Sequence, residues 1–228
     1  MREKMTMIEA VAPTEHIRRA YNLWSYLYGK VGVPMERKPR MRALEQAGLQ
    51  PQDKVLEVAV GPGATLLEIV KRVDRKNVVN GVDLSVKMLE RARELVHAAG
   101  YTNVELREAD ARQLPFPDGT FDLLYNSYML DLISLPDMPV VLGEFRRVLK
   151  PGGRLVLVNF SKKDGSGRTW WERIYMGLPV RWVPYLLGGC RPVLMEDPVR
   201  GVGFCEVQRE FIRHIIPSEI VTARKPEQ

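Results

Sequence analysis

Between residues 54 and 160, short runs of branched apolar residues alternate with stretches of helical period. Lys54–Val60 reads as a strand that ends in glycines, and the helix that follows covers about Ala64–Val73. Val78–Val82 is the next strand and ends at Asp83. Ser85 then stands as the N-cap of a helix that carries Val86, Leu89 and Val96 on one face. Val104–Arg107 and Phe121–Tyr125 read as two further strands, the second entered through the turn Pro117-Asp118-Gly119. A helix over about Met138–Leu149 stops at Lys150-Pro151-Gly152-Gly153, because proline cannot continue it and glycine supplies the turn. Arg154–Phe160 is the fifth strand. Strict alternation of strand and helix predicts a doubly wound, mostly parallel sheet covered on both faces. The rhythm changes at the end of the chain. Glu206–His214 and Ile220–Arg224 are strand-like and too close together for a crossover helix, so they form an antiparallel pair.

The expected organisation is one domain over 1–228: an N-terminal helical cover (1–50), a core (51–160), a helical insertion (161–192) and the C-terminal strand pair (193–228). A content of 45% hydrophobic and 27% charged residues excludes wholesale disorder. No apolar run reaches the roughly 18 residues that span a bilayer, and no signal-peptide stretch stands at the start, so a cytoplasmic protein is expected. Two cysteines and three scattered histidines make neither a disulfide framework nor a metal site. The net charge of +6 is unevenly placed. Residues 1–50 and 161–192 each carry a net +4, while 51–160 and 193–228 each come to −1. A solvated basic face explains this as readily as attraction to an anionic surface.

The chemistry is concentrated at strand ends, where open α/β sheets bind ligands. The first strand runs into Val60-Gly61-Pro62-Gly63, and glycines there let the backbone turn tightly and approach a ligand. Asp83 ends the second strand, where a carboxylate can accept from both hydroxyls of a ribose. Read alone, Asp83 and Asp110 serve equally well as caps of the helices after them. A dehydrogenase-type loop fits poorly, because the position that needs its third glycine is Leu66.

Taken together, the motifs resemble the class I S-adenosylmethionine-dependent methyltransferases. Val55-Leu56-Glu57-Val58-Ala59-Val60-Gly61-Pro62-Gly63 is similar to their first motif, and Gly81-Val82-Asp83-Leu84-Ser85 with Met88-Leu89 to their second. Glu108-Ala109-Asp110-Ala111, Phe121-Asp122-Leu123-Leu124 and Arg147-Val148-Leu149-Lys150-Pro151-Gly152-Gly153 match later signatures in order. The resemblance implies a Rossmann-like seven-stranded sheet and S-adenosylmethionine as cofactor. It implies that Gly61 and Gly63 pack against the methionine part and that Glu57 orders the loop and reaches the amino end through water. It further implies that Asp83 holds the ribose, that Leu84 or Met88 packs on the adenine, and that Asp110 and the Ala111 amide read the adenine edge. Asn126 offers a carbonyl to the methionine ammonium. Ala59 replaces the usual first glycine of the loop.

Within that family the chain resembles the ubiquinone/menaquinone-biosynthesis C-methyltransferases and the bacterial phospholipid N-methyltransferases. This implies a hydrophobic or amphipathic small-molecule acceptor. A quinone precursor is placed first, and a phosphatidylethanolamine-type amine is the alternative. The resemblance puts Asp131 on the acceptor side as a proton acceptor, with a helix-capping or surface aspartate an equal alternative, and Tyr21 and Tyr28 at the aromatic pair near the cofactor carboxylate. Ile17, Tyr21, Trp24 and Tyr28 share a helical stripe, as do Trp171, Ile174, Tyr175 and Leu178, with Trp182, Tyr185, Leu186 and Leu187 following. Such stripes dock helices on a sheet. With the basic excess they also suit a cover that touches an anionic membrane. A non-catalytic cofactor-binding regulator is the rival of another class. Nucleic acid is ranked last as a partner, and a monomer and a homodimer stay open.

Overall fold

The computed structural model describes residues 7–10, 12–164, 169–183, 185 and 188–227, without side-chain detail for 14, 24–31 and 181. Helix α1 (Thr14–Gln46) leads into β1 (Val55–Val58), α2 (Ala64–Val70), β2 (Val79–Asp83), α3 (Val86–Ala98), β3 (Val104–Glu108) and β4 (Phe121–Ser127). A 3₁₀ turn at Leu130–Leu132 precedes α4 (Met138–Val148) and β5 (Leu149–Phe160). After these come α5 (Trp170–Gly177), a 3₁₀ turn at Val180–Trp182, α6 (Glu196–Gly201), β6 (Cys205–Ile212) and β7 (Ser218–Arg224).

The seven strands lie in the order β3-β2-β1-β4-β5-β7-β6. Strands β1 to β5 are parallel, and β7 runs antiparallel to both β5 and β6, so β7 alone is reversed. The expected Rossmann-like sheet with its antiparallel C-terminal pair is thus present. Every residue of β1 is buried, as expected for a parallel strand covered on both faces. One face packs Leu56, Leu124, Leu155 and Leu157 under Val141, Leu142 and Phe145 of α4. The other packs Tyr125, Val156 and Val158 against Ala43 and Leu44 of α1, Ile69 of α2 and Ala92 of α3.

The turn expected at Lys150–Gly153 is instead part of β5. Leu149 already pairs with Phe121, but the next partners are Leu123 and Arg154, so residues 150–153 form an irregularity within the ladder. Gly152, at φ +72°, supplies the left-handed conformation that it requires. Proline is tolerated there because the ladder is already broken.

Helix α1 spans 33 residues and holds Pro34 and Pro39 within it. Its C-terminal part is fixed to the sheet: Tyr125 donates to the Arg40 carbonyl at 3.3 Å, and Arg154 to the Ala47 carbonyl at 3.0 Å. The insertion is rooted by a buried ion pair, Lys162 Nζ to Glu172 Oε1 at 2.9 Å, with Glu172 also closing the capping box of α5 on Thr169. Leu186 and Leu187 lie outside the described residues. Among the described residues no helix is long and apolar enough to cross a membrane, and no group of three or more His, Cys, Asp or Glu is placed to hold a metal ion.

Candidate functional site

The strand order reverses between β1 and β4, and an open cleft lies there at the carboxyl ends of the strands. Its floor is the loop after β1. Ala59, Gly61 and Gly63 all have positive φ, at 59°, 52° and 87°. A Cβ on Gly61 would meet nothing within 4 Å. That glycine therefore keeps open the face of the loop that a ligand approaches. Gly63 has a different task, because its missing side chain lets α2 start directly over α3. Ala59 holds the left-handed conformation with a Cβ in place, at a cost of about 1–2 kcal/mol.

Asp83 ties this floor to the neighbouring wall. Its Oδ2 accepts the Gly61 amide at 2.9 Å and its Oδ1 the Ser85 amide at 2.8 Å. Burial pushes its carboxyl up to about 6 against the pull of these two amides. Each carboxylate oxygen has a second lone pair, so the group can still accept from a ligand's hydroxyls. Leu84 and Met88 line the cleft beside it. Asp110 and Ala111 form the far wall. The Arg112 guanidinium grips Asp110, with Nη2 donating to Oδ2 at 2.6 Å, and holds that carboxyl below the usual carboxylate range.

Glu57 stands behind the floor rather than on it, fully buried. Neither of its carboxylate oxygens has a hydrogen-bond partner among the described residues. Burial raises it to about 8, with the nearby Arg40 charge opposing. Asn126 is equally buried: its amide donates to the Val58 carbonyl at 2.8 Å and its Oδ1 has no partner among the described residues. The adjoining Ser127 and Tyr128 line the cleft instead. Asp131, the expected acceptor-side base, lies in the 3₁₀ turn and is fully buried, whereas Met129, Leu132 and Ile133 around it form the wall. Its Oδ2 accepts the Phe160 amide at 3.2 Å, its Oδ1 has no partner among the described residues, and burial pushes it up to about 7.

Helix α1 closes the remaining side. Arg18 and Tyr21 line the cleft, and Ser85 donates to Asn22 at 2.5 Å. The Tyr28 side chain lies outside the described residues. Arg40 also lines the cleft, which the motif reading did not include. A signal for it was present, since Glu36 and Arg40 fall on the same helical stripe as Ala43, Leu44 and Ala47. Opposite charges four residues apart on a buried stripe mark a polar site rather than a core position. Arg112, Ser127 and Tyr128 were missed as well, because no motif residue points to them.

The arrangement fits a nucleoside joined to an amino acid. Asp83 and Asp110 offer acceptors along one side, Gly61 leaves the backbone open, and behind the floor the Glu57 carboxyl has no hydrogen-bond partner among the described residues.

Residues 55–153 match the family described as "Methyltransferase domain". The chain is 36% identical over 152 residues to a phosphatidylethanolamine N-methyltransferase of Cereibacter sphaeroides, covering 65% of this chain and 70% of that one. It is 37% identical over 124 residues to the ubiquinone/menaquinone biosynthesis C-methyltransferase UbiE of Teredinibacter turnerae, covering 54% of this chain and 49% of the relative, about half its length. Among solved structures, the [4+2]-cyclase SpnF superposes with a TM-score of 0.76 at 20% identity, covering 98% of this chain and 100% of that one, a likeness of fold. On this evidence the chain belongs to the class I S-adenosylmethionine-dependent methyltransferases.

Proposed function

We propose that this methyltransferase acts on a hydrophobic or amphipathic small molecule whose reacting end enters the cleft beside residues 127–133. The observation that carries this reading is the character of that wall. Tyr21, Tyr128, Met129, Leu132 and Ile133 present apolar surface next to the open loop.

In this reading Asp83 holds the ribose hydroxyls, Leu84 and Met88 pack on the adenine, and Asp110 and the Ala111 amide read its edge. Gly61 admits the chain of the amino acid, and Glu57 meets its ammonium through water. Bound S-adenosylmethionine supplies a methyl group on a sulfonium, already activated for in-line displacement. The protein's part is alignment and exclusion of water. The apolar wall orients the acceptor. Asp131, raised toward neutrality, takes its proton from one residue behind Leu132, through a bridging water or a shift of the turn.

A quinone precursor is the first acceptor, because an aromatic ring bearing a hydroxyl suits a wall with two tyrosines and one proton-accepting carboxylate. A phospholipid amine is the second reading, supported by Arg18 on the cleft wall, which suits a phosphate, and by the phosphatidylethanolamine N-methyltransferase likeness. Either acceptor resides in a membrane. The exposed Trp170 and Trp182, 62% and 48% accessible, with the exposed Arg173 on α5, suit contact with an anionic lipid surface.

The test supplies isotope-labelled S-adenosylmethionine with a demethylated naphthoquinol in detergent, with phosphatidylethanolamine vesicles, and with a total lipid extract. Labelled naphthoquinol supports the first reading and labelled phosphatidylethanolamine the second. No labelled product from any of the three overturns the acceptor class.

A further inference from the structure

The end of the cleft near Glu57 holds a cation already engaged by an internal carboxylate. Arg40 Nη2 donates to Glu36 Oε2 at 2.5 Å and Nη1 to Thr65 Oγ1 at 3.0 Å. Its guanidinium lies 5.2 Å from the centre of the Tyr128 ring, which fixes its plane. Glu36 and Arg40 are only 6% and 4% exposed, yet Arg40 is part of the cleft wall. Glu57, with both oxygens unpartnered, stands close enough to feel the Arg40 charge. A guanidinium and an unbonded carboxyl near each other form a mould for a zwitterionic α-amino acid, the carboxylate going to Arg40 and the ammonium toward Glu57, whose ionised form the ammonium stabilises.

We propose that Glu36 is a stand-in for a ligand carboxylate: it occupies Arg40 in the free protein, and the amino-acid carboxylate of the cofactor displaces it on binding. This rests on the reading that the cofactor's amino-acid end lies by Gly61 and Glu57. Thr65 and the Tyr128 ring fix how the guanidinium sits, and Glu36 holds its Nη2. A carboxylate entering from the cleft is repelled by Glu36 at the same guanidinium, so its arrival favours release of Glu36.

The pair also sits at a weak stretch of α1. Pro34 and Pro39 each remove one helical hydrogen bond, and Glu36 and Arg40 bridge successive turns between and just beyond them. Releasing Glu36 takes away a side-chain bond that braces this stretch. Cofactor binding is thereby coupled to loosening of α1, which carries Arg18 and Tyr21 on the acceptor side of the cleft. Glu36 accordingly sets both the affinity for an amino-acid-bearing ligand and the freedom of the helix that covers the acceptor.

The experiment compares S-adenosylhomocysteine with 5′-methylthioadenosine, which keeps the nucleoside and lacks the amino acid. Calorimetry on wild type and Glu36→Gln is expected to show about fivefold or greater tightening for S-adenosylhomocysteine in the variant and no change for 5′-methylthioadenosine. In wild type, S-adenosylhomocysteine should speed hydrogen exchange over residues 32–40 several-fold, and 5′-methylthioadenosine should not. Unchanged or weaker binding of S-adenosylhomocysteine by a folded Glu36→Gln overturns the proposal. If that variant does not fold, the wild-type exchange decides: equal response to both ligands, or none to either, overturns it. Failure of both ligands to bind wild type at all sinks the cofactor reading, which separates that failure from an error about Glu36.

Discussion

Gly63 lies so close to Ala92 that a Cβ built on it would come within 2.7 Å of the Ala92 Cα and 2.9 Å of its Cβ. Its φ of +87° adds a second reason for glycine. The residue therefore sets the distance between α2 and α3, and through it the position of the loop over the cleft. Gly63→Ala must push backbone against backbone and adopt a left-handed conformation. A loss of about 2–4 kcal/mol in denaturant unfolding is expected. Wild-type stability in this variant would mean that the two helices are not held at this distance.

Ala59 presents the opposite case. Its φ of +59° is one that glycine adopts without strain, and its side chain is half-buried beside the core. Ala59→Gly relieves the left-handed cost but gives the unfolded chain more freedom, and the two effects differ by less than either. The expected balance is a gain of about 0.5–1 kcal/mol, seen as a higher denaturation midpoint at unchanged slope. A clear loss of stability would show that the methyl group contributes packing that outweighs the strain.

The buried carboxyls give the molecule an unusual pH dependence. Burial pushes Glu57 up to about 8, Asp131 up to about 7 and Asp83 up to about 6. Between the unfolded value of about 4 and these folded values, the folded chain binds more protons than the unfolded one, so stability falls as pH rises. Glu68, Asp110 and Glu144, lowered by bonds to Lys71, Arg112 and Arg147, act in the opposite sense but below that window. Melting temperature should therefore decline by several degrees from pH 5 to pH 8. Glu57→Gln should flatten the upper part of that decline. A melting temperature that holds or rises over this range would contradict the raised, proton-holding state of these buried groups.

What the residue pattern made legible is the part of the molecule governed by local rules. The five parallel strands announce themselves as branched apolar runs, and Ser85 caps α3 by accepting the Met88 amide as its position suggests. The loop and both strand-end aspartates lie on the cleft as their motifs imply. Tertiary context decided the rest. Lys150–Gly153 has the chemistry of a turn, yet Leu149 pairs with Phe121 and draws the segment into β5. The position of Asp131 in the chain does not reveal that its side chain turns inward to the Phe160 amide while its neighbours face the cleft. Arg40 joins the site from a helix that precedes the first motif, and only its pairing with Glu36 on a buried stripe foreshadows it. Arg191 is another such residue: fully buried, it donates to the carbonyls of Ile8, Asp131 and Ile133 and ties the segment around Ile8 to the turn at 131–133.

The proposal that the cofactor lies in this cleft turns most directly on Asp83, whose carboxylate accepts the Gly61 and Ser85 amides and is proposed to hold the ribose. The deciding measurement is calorimetric binding of S-adenosylhomocysteine to wild type, Asp83→Asn and Asp83→Ala, each checked for folding by circular dichroism. Loss of charge-assisted hydrogen bonds is worth about 1.5–3 kcal/mol, so Asp83→Ala should weaken binding by about 10- to 100-fold, with Asp83→Asn between it and wild type. Wild-type affinity in a folded Asp83→Ala would place the cofactor elsewhere and contradict the account.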